Sequence, residues 1–193
     1  MLVYGIPSFK LEKNIVDAEI DVIRELGVDI RCGVEIGKDI TLDELRAQGY
    51  KAFYIAIGCQ GGRKAGILGE DAEGVMTAVD FLKTVGQDEA YPVEGRTVVV
   101  GGGNVAIDVA RTSGRCGASE VSMYCLESRE IMPASIEEIE EAEEEGVELK
   151  DIKRDKDLVN VAVRGYRSNI DHVLLPKFLM EADHLINLPI LKA

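Results

Sequence analysis

The sequence predicts an α/β fold, and three observations carry that prediction. Apolar, β-branched runs alternate with capped helical patterns along most of the chain. Residues 97–111 (TVVVGGGNVAIDVAR) read as strand, glycine turn and helix in immediate succession. A second strand pattern, residues 120–125 (EVSMYC), follows at the spacing of a β-α-β unit. The 193 residues are 46% hydrophobic and 30% charged, which fits one ordinary globular domain or two small ones rather than a disordered chain.

Taken in order, residues 2–9 (LVYGIPSF) are irregular, with Gly5 and Pro7 as breakers. Asn14 is expected to cap a helix in which Val16, Ile20 and Ile23 recur at helical spacing, closed by Gly27. Residues 28–32 read as a strand. Thr41 and Glu44 form a capping box for a short helix over 42–48. Residues 52–57 (AFYIAI) read as a buried strand ending at Gly58, and the glycine- and charge-rich stretch 60–73 as loop. A helix over 78–85 leads to a polar linker, 86–92, where a domain boundary is drawn.

The junction that follows has dinucleotide-binding character. Gly101, Gly103 and Ala106 fill the positions of G-x-G-x-x-G/A, with Gly102 between the first two. The first glycine permits a tight turn, the second lets backbone approach a pyrophosphate, and Ala106 lets the helix pack close to its strand. Unpaired N–H groups at the helix start, at Asn104 and Val105, then face the anion. Glu127 lies just beyond the next strand, about two dozen residues past Gly103, where a carboxylate would accept hydrogen bonds from the ribose hydroxyls of NAD. Arg129 could instead pair with a 2′-phosphate, so NAD and NADP both remain open. Glu127 favours NAD, because it would repel that phosphate.

Ser135 and Glu138 suggest a second capping box, opening an acidic helix (EEIEEAEEE) that runs to Glu145. It reads as a solvated face, its self-repulsion offset by Ile136, Ile139 and Ala142 packing on a sheet. Residues 147–149 read as the next strand. Residues 158–163 and 183–189 are strand-like, and 173–180 is apolar but interrupted by Pro176. His172 and His184 read as surface or satisfied core residues rather than ligands.

The formal net charge of −13 argues against a nucleic-acid partner and is compatible with a basic protein partner. No basic stretch precedes the apolar N-terminus, and no apolar run nears the roughly 20 residues that span a bilayer. No membrane role is expected, and a cytoplasmic location is the default. Cys32, Cys59, Cys116 and Cys125 form no C-x-x-C pair, zinc pattern or iron–sulfur pattern. Cys32 and Cys125 are expected to be buried, reduced thiols in strands.

Four ordered runs carry a resemblance: residues 4–20 (YGIPSFKLEKNIVDAEI), 41–58 (TLDELRAQGYKAFYIAIG), 98–111 (VVVGGGNVAIDVAR) and 128–135 (SREIMPAS). Over about residues 2–150 the chain resembles the small, flavin-containing subunit of glutamate synthase and related pyridine nucleotide–disulfide oxidoreductase-like flavoproteins. The resemblance implies a Rossmann-like NAD(P)-binding domain, residues 91–157, and an incomplete FAD-domain-like α/β segment, residues 1–90, with 158–193 an unassigned tail. It implies that Leu2, Tyr4, Gly5, Ile6 and Pro7 lie near the flavin and that Ala56, Ile57 and Gly58 form a small-residue turn beside FAD. It also implies that Gly101, Gly103, Asn104, Val105 and Ala106 cradle the nicotinamide dinucleotide; Gly102, Glu127, Ser128 and Arg129 complete the candidate cofactor-binding residues. Many NADPH-using members carry two arginines where this chain has Leu126 and Glu127, which again favours NAD.

In that family NAD(P)H passes a hydride to FAD, and electrons leave through iron–sulfur clusters to a partner subunit. No second glycine fingerprint precedes Tyr4, so this chain alone is not expected to hold the FAD pyrophosphate. Two readings follow: a piece of an NAD(P)H-dependent flavin oxidoreductase, or a non-catalytic NAD(H)-binding module. In either, a protein partner or self-association is expected to complete the FAD-type half-domain and cover its apolar surface.

Overall fold

The computed structural model describes residues 1–58, 61, 62, 66, 69–152, 158–162, 172–177, 180 and 183–187. Cys59, much of the expected loop 60–73 and the ends of the three expected runs after residue 157 lie outside them. The chain divides into two compact units, one of residues 1–10 with 61–193 and one of residues 11–60.

The larger unit is built on a parallel sheet. Its strands are β1 (Val75–Thr77), β2 (Arg96–Val100), β3 (Glu120–Cys125), β4 (Glu148–Asp151) and β7 (His184–Asn187). Their order is β1-β7-β2-β3-β4, every pair parallel. Helices α3 (Ala78–Gln87), α4 (Asn104–Arg115) and α5 (Ile136–Glu144) connect and cover them. β5 (Leu158–Ala162) and β6 (His172–Pro176) form a separate antiparallel pair.

This order gives the sheet a change of direction. From β2 the chain runs through α4 to β3 and on to β4, whereas β7 and β1 lie on the other side of β2. The switch falls between β2 and β7, at the carboxyl end of β2, where the glycine turn begins. Open α/β sheets bind ligands in that crevice.

The core explains the helix positions. Phe81 and Leu82 of α3, Ala106, Ile107, Val109 and Ala110 of α4, and Ile139 and Ala142 of α5 are buried with Val99, Val121 and Met123 of the sheet. Ile107, Val109 and Val99 retain no exposed surface. Each such side chain contributes about 1.5–3 kcal/mol by leaving water. Thr77 caps α3 by accepting the Asp80 N–H at 3.2 Å.

Polar pairs lock α4 to α5 and to the N-terminal segment. The Arg111 guanidinium is only 7% exposed and pairs with Glu138, Glu141 and Glu145. Arg115 adds a bond to Glu145 at 2.7 Å. The Phe9 ring packs under both arginines, 4.7 Å from Arg111 and 4.2 Å from Arg115. Lys10 bridges Asp108 and Glu138. The acidic helix is therefore not simply a solvated face. Ile136, expected to pack on the sheet, is instead 66% exposed.

Burial alone would raise the Glu145 carboxyl, but hydrogen bonds from Arg115 and Arg111 outweigh it and bring it down to about 2. A carboxyl held below its unfolded value contributes stability above about pH 4.5, which is lost as pH falls towards about 2. Burial shifts Asp108 upward despite Lys10, so that group works in the opposite sense. Urea midpoints should therefore fall through this acid window, and Glu145→Gln should flatten that fall. An unchanged slope in the variant would remove Glu145 as its source.

Several expectations change in the smaller unit. α1 (Lys13–Glu25) starts before Asn14, with Glu12 as N-cap, because no side chain here caps the first turn. Gly27 does close it, with φ at 87°. α2 (Leu42–Ala47) has both halves of the Thr41–Glu44 capping box. Residues 28–32 and 52–57, expected as strands, form none, and Cys32 is exposed. Tyr54 is 94% exposed and Ile55 77%. Strand backbone needs a neighbouring strand, and among the described residues this unit offers only an isolated bridge between Ile36 and Ile40.

The packing units also cut across the sequence-based division at residues 90/91 and 157/158. β1 and α3 share the sheet and core of the Rossmann-like unit, and β7, from the expected tail, runs between β1 and β2.

Candidate functional site

The three glycines after β2 are required for different reasons. Gly101 extends the pairing with β3, donating its N–H to the Tyr124 carbonyl at 2.8 Å. Its φ of 150° is one that side-chain-bearing residues avoid. Gly102 is needed for packing: a Cβ there would lie 3.1 Å from Cys125 Cβ and 3.4 Å from Pro133 Cδ. Gly103 has neither constraint. Its φ of −97° is ordinary, and a Cβ there would meet nothing within 4 Å. It serves as the N-cap of α4 and has open space above it.

Backbone donors converge on the same space. Gly103 is the N-cap of α4, and its carbonyl accepts the N–H groups of Ala106 and Ile107 at 2.9 and 3.2 Å. Those of Gly102, Gly103, Asn104 and Val105 have no hydrogen-bond partner among the described residues. They stand at the positive end of a 12-residue helix, an arrangement suited to a diphosphate. Ala106, 1% exposed, lets the first turn of α4 sit against the core.

A brace behind the loop was not foreseen. The Ala134 N–H donates to the Gly102 carbonyl at 3.0 Å, and the Ser135 N–H to Asn104 Oδ1 at 2.9 Å. The Asn104 side chain thus ties α4 to the start of α5, while its backbone N–H has no partner among the described residues. Ser135 remains the N-cap of α5, but no side-chain capping bond forms, and Glu138 is engaged by Lys10. The proline and small residues of 133–135 were the only sequence hint of this close approach.

The adenosine end of the expected site follows β3. The Cys125 thiol donates to the Glu127 carbonyl at 3.0 Å and is pushed up by burial, so it is an inert neighbour. Glu127 and Ser128 are half-buried. The Ser128 hydroxyl donates to Glu130 at 2.5 Å. Arg129 opens a short 3₁₀ turn and is engaged by Glu143 through two hydrogen bonds, 2.8 and 2.6 Å.

The residues expected near FAD fall in both units. Leu2, Tyr4, Gly5, Ile6 and Pro7 belong to the larger unit; Ala56, Ile57 and Gly58 belong to the smaller. Residues 1–7 fold into turns, with the Gly5 and Ile6 N–H groups donating to the Met1 carbonyl at 2.7 and 3.2 Å. The Tyr4 backbone runs against α3, where a Cβ on Gly86 would lie 3.0 Å from it. Among the described residues there is no second glycine turn opening a helix.

A cleft of about 520 Å³ opens at the other end of α4, lined by Arg111, Arg115, Glu120 and Glu145. Its arginines are engaged by Glu145, so it is a poorer anion site than the glycine turn. Among the described residues no group of side chains could hold a metal, and no helix is long and apolar enough to cross a membrane.

A family model described as pyridine nucleotide-disulphide oxidoreductase matches residues 10–174. Over 150 residues the chain is 43% identical to the NADP(+)-dependent formate dehydrogenase subunit beta of Moorella thermoacetica, covering 76% of this chain and 21% of that protein. Over 161 residues it is 37% identical to the glutamate synthase (NADPH) small chain of Escherichia coli K12, covering 78% and 34%. Over 184 residues it is 35% identical to the NAD-dependent dihydropyrimidine dehydrogenase subunit PreT of Escherichia coli O157:H7, covering 94% and 43%. The chain therefore spans between about a fifth and less than half of the length of these relatives.

Proposed function

The chain belongs to the pyridine nucleotide-disulphide oxidoreductase family, and from that premise we propose that it supplies the nicotinamide-dinucleotide half of an NAD(P)H-dependent flavin oxidoreductase of the glutamate synthase small-chain type. The observation that carries this reading is Gly103, a glycine that no contact and no dihedral angle in this chain demands, set among unpaired N–H groups. The backbone N–H groups of 102–105 bind the diphosphate. Ala106 and the 133–135 brace keep α4 and the turn in register. Glu127 accepts hydrogen bonds from the adenosine ribose, and its charge favours NAD over NADP. The bound coenzyme supplies the hydride; the protein orients it.

The activity of the whole enzyme extends the same proposal. A flavin would take the hydride, and a partner would take the electrons. Relatives named as subunits of formate dehydrogenase and dihydropyrimidine dehydrogenase support that direction. On this reading residues 1–90 carry the FAD-type part and 91–157 the NAD(P)-type part, with β1, α3 and β7 packed into the latter's sheet and core. Leu2, Tyr4, Gly5, Ile6, Pro7, Ala56, Ile57 and Gly58 would supply part of the flavin's surroundings in that enzyme, and no step through FAD is assigned to this chain. A second reading is a module that binds NAD(H) without turnover until another polypeptide completes the FAD-type half. The exposed apolar run at 52–57 favours it.

Calorimetric titration with NADH and NADPH, followed by FAD addition under anaerobic conditions, separates these readings. A bound flavin bleached by either coenzyme supports the oxidoreductase. Coenzyme binding without flavin uptake supports the module. A folded chain that binds neither coenzyme overturns both.

A further inference from the structure

Arginine in the loop after the second strand of such a unit suits a 2′-phosphate, because its planar fork presents paired donors. Here that fork is already occupied. Nε and Nη2 of Arg129 bond Oε1 and Oε2 of Glu143, a bidentate pair reaching across from α5. Glu140 and Glu130 add their charge at the same guanidinium. Glu127 stands two residues before it in the same loop. A dianionic phosphate arriving there would meet a guanidinium whose best face is engaged by Glu143.

Resting on the reading of residues 101–106 as a dinucleotide cradle, we propose that Glu143 is a specificity-determining residue, which selects for the coenzyme lacking a 2′-phosphate by holding the Arg129 fork. Glu143 acts through Arg129 and is a positioning residue. Glu127 is then one of two devices with the same effect, one acting by direct repulsion and one by sequestering the only arginine in the 126–131 loop.

The test is the ratio of NADPH to NADH affinity, read from coenzyme fluorescence at low salt, where exposed charges are least screened. Glu143→Gln keeps the side chain's size and removes one charge from a crowded acidic helix, so folding is preserved. The ratio should rise about threefold, the scale of an exposed, well-aligned ion pair. In an Arg129→Ala background the same substitution should leave the ratio unchanged. A purely structural role for Glu143 would move both affinities together and leave the ratio constant, which overturns the proposal while NADH binding keeps the cradle reading intact. An unmodified chain that already prefers NADPH also overturns it. An unmodified chain that binds neither coenzyme removes the proposal and the reading beneath it.

Discussion

Gly103→Trp is expected to abolish coenzyme binding while leaving the fold intact. The indole would fill the space above the turn and screen the N–H groups of Gly103, Asn104 and Val105. Charge-assisted hydrogen bonds are worth about 1.5–3 kcal/mol each, so losing two lowers NADH affinity at least about a hundredfold. Stability should fall by no more than about 1 kcal/mol, the scale of losing a favoured N-cap residue, because the backbone angle is ordinary and nothing lies within 4 Å of the added Cβ. Gly102→Val provides the contrast. Its branched side chain would push into Cys125 and Pro133, so it should lower stability as well as binding. Calorimetry with NADH and urea unfolding on both variants reads the difference. Unchanged affinity in Gly103→Trp would remove the proposed role of the turn.

The second large effect is expected at Arg111. Its guanidinium is buried, stacked on Phe9, and faces Glu138, Glu141 and Glu145. Arg111→Ala removes the α4 partner of Glu141, leaves Glu138 to Lys10 and Glu145 to Arg115, and removes the aliphatic stem. Breaking a buried pair from one side costs about 3–5 kcal/mol. Glu141 is half exposed and water relieves part of that cost, so a loss of about 3 kcal/mol in urea unfolding is expected. Arg111→Lys should recover only part, because one ammonium cannot replace a planar fork shared among three acceptors. A loss under about 0.5 kcal/mol in Arg111→Ala would mean the cluster is decoration on a stable core.

What could be read in advance was the local part. The glycine turn, the strand at 120–125 and the Thr41–Glu44 box depend on residues adjacent in the chain, and each stands as read. What failed depends on distant residues. An apolar run becomes a strand only beside another, and 52–57 has none within its unit among the described residues. The acidic helix looked solvated because its cations, Lys10, Arg111, Arg115 and Arg129, lie in other elements. Asn104 braces Ser135 across 31 positions, and no pattern within either segment announces it. The stretch around His184 showed a strand but not its neighbours, because parallel pairing leaves no turn signal between partners.

That last strand governs the order of assembly. β7 lies between β1 and β2, with Leu185 opposite both Val75 and Val98. During synthesis from the N-terminus, both flanking strands emerge long before it. Until residues 184–187 leave the ribosome, the lane between β1 and β2 is vacant, with β1 lacking its sheet partner and β2 one ladder edge unfilled. The nascent chain must keep those edges from foreign strands while the intervening residues, 101–183, are made. Slow, late closure of this kind is where a holding chaperone or prompt assembly has most to protect.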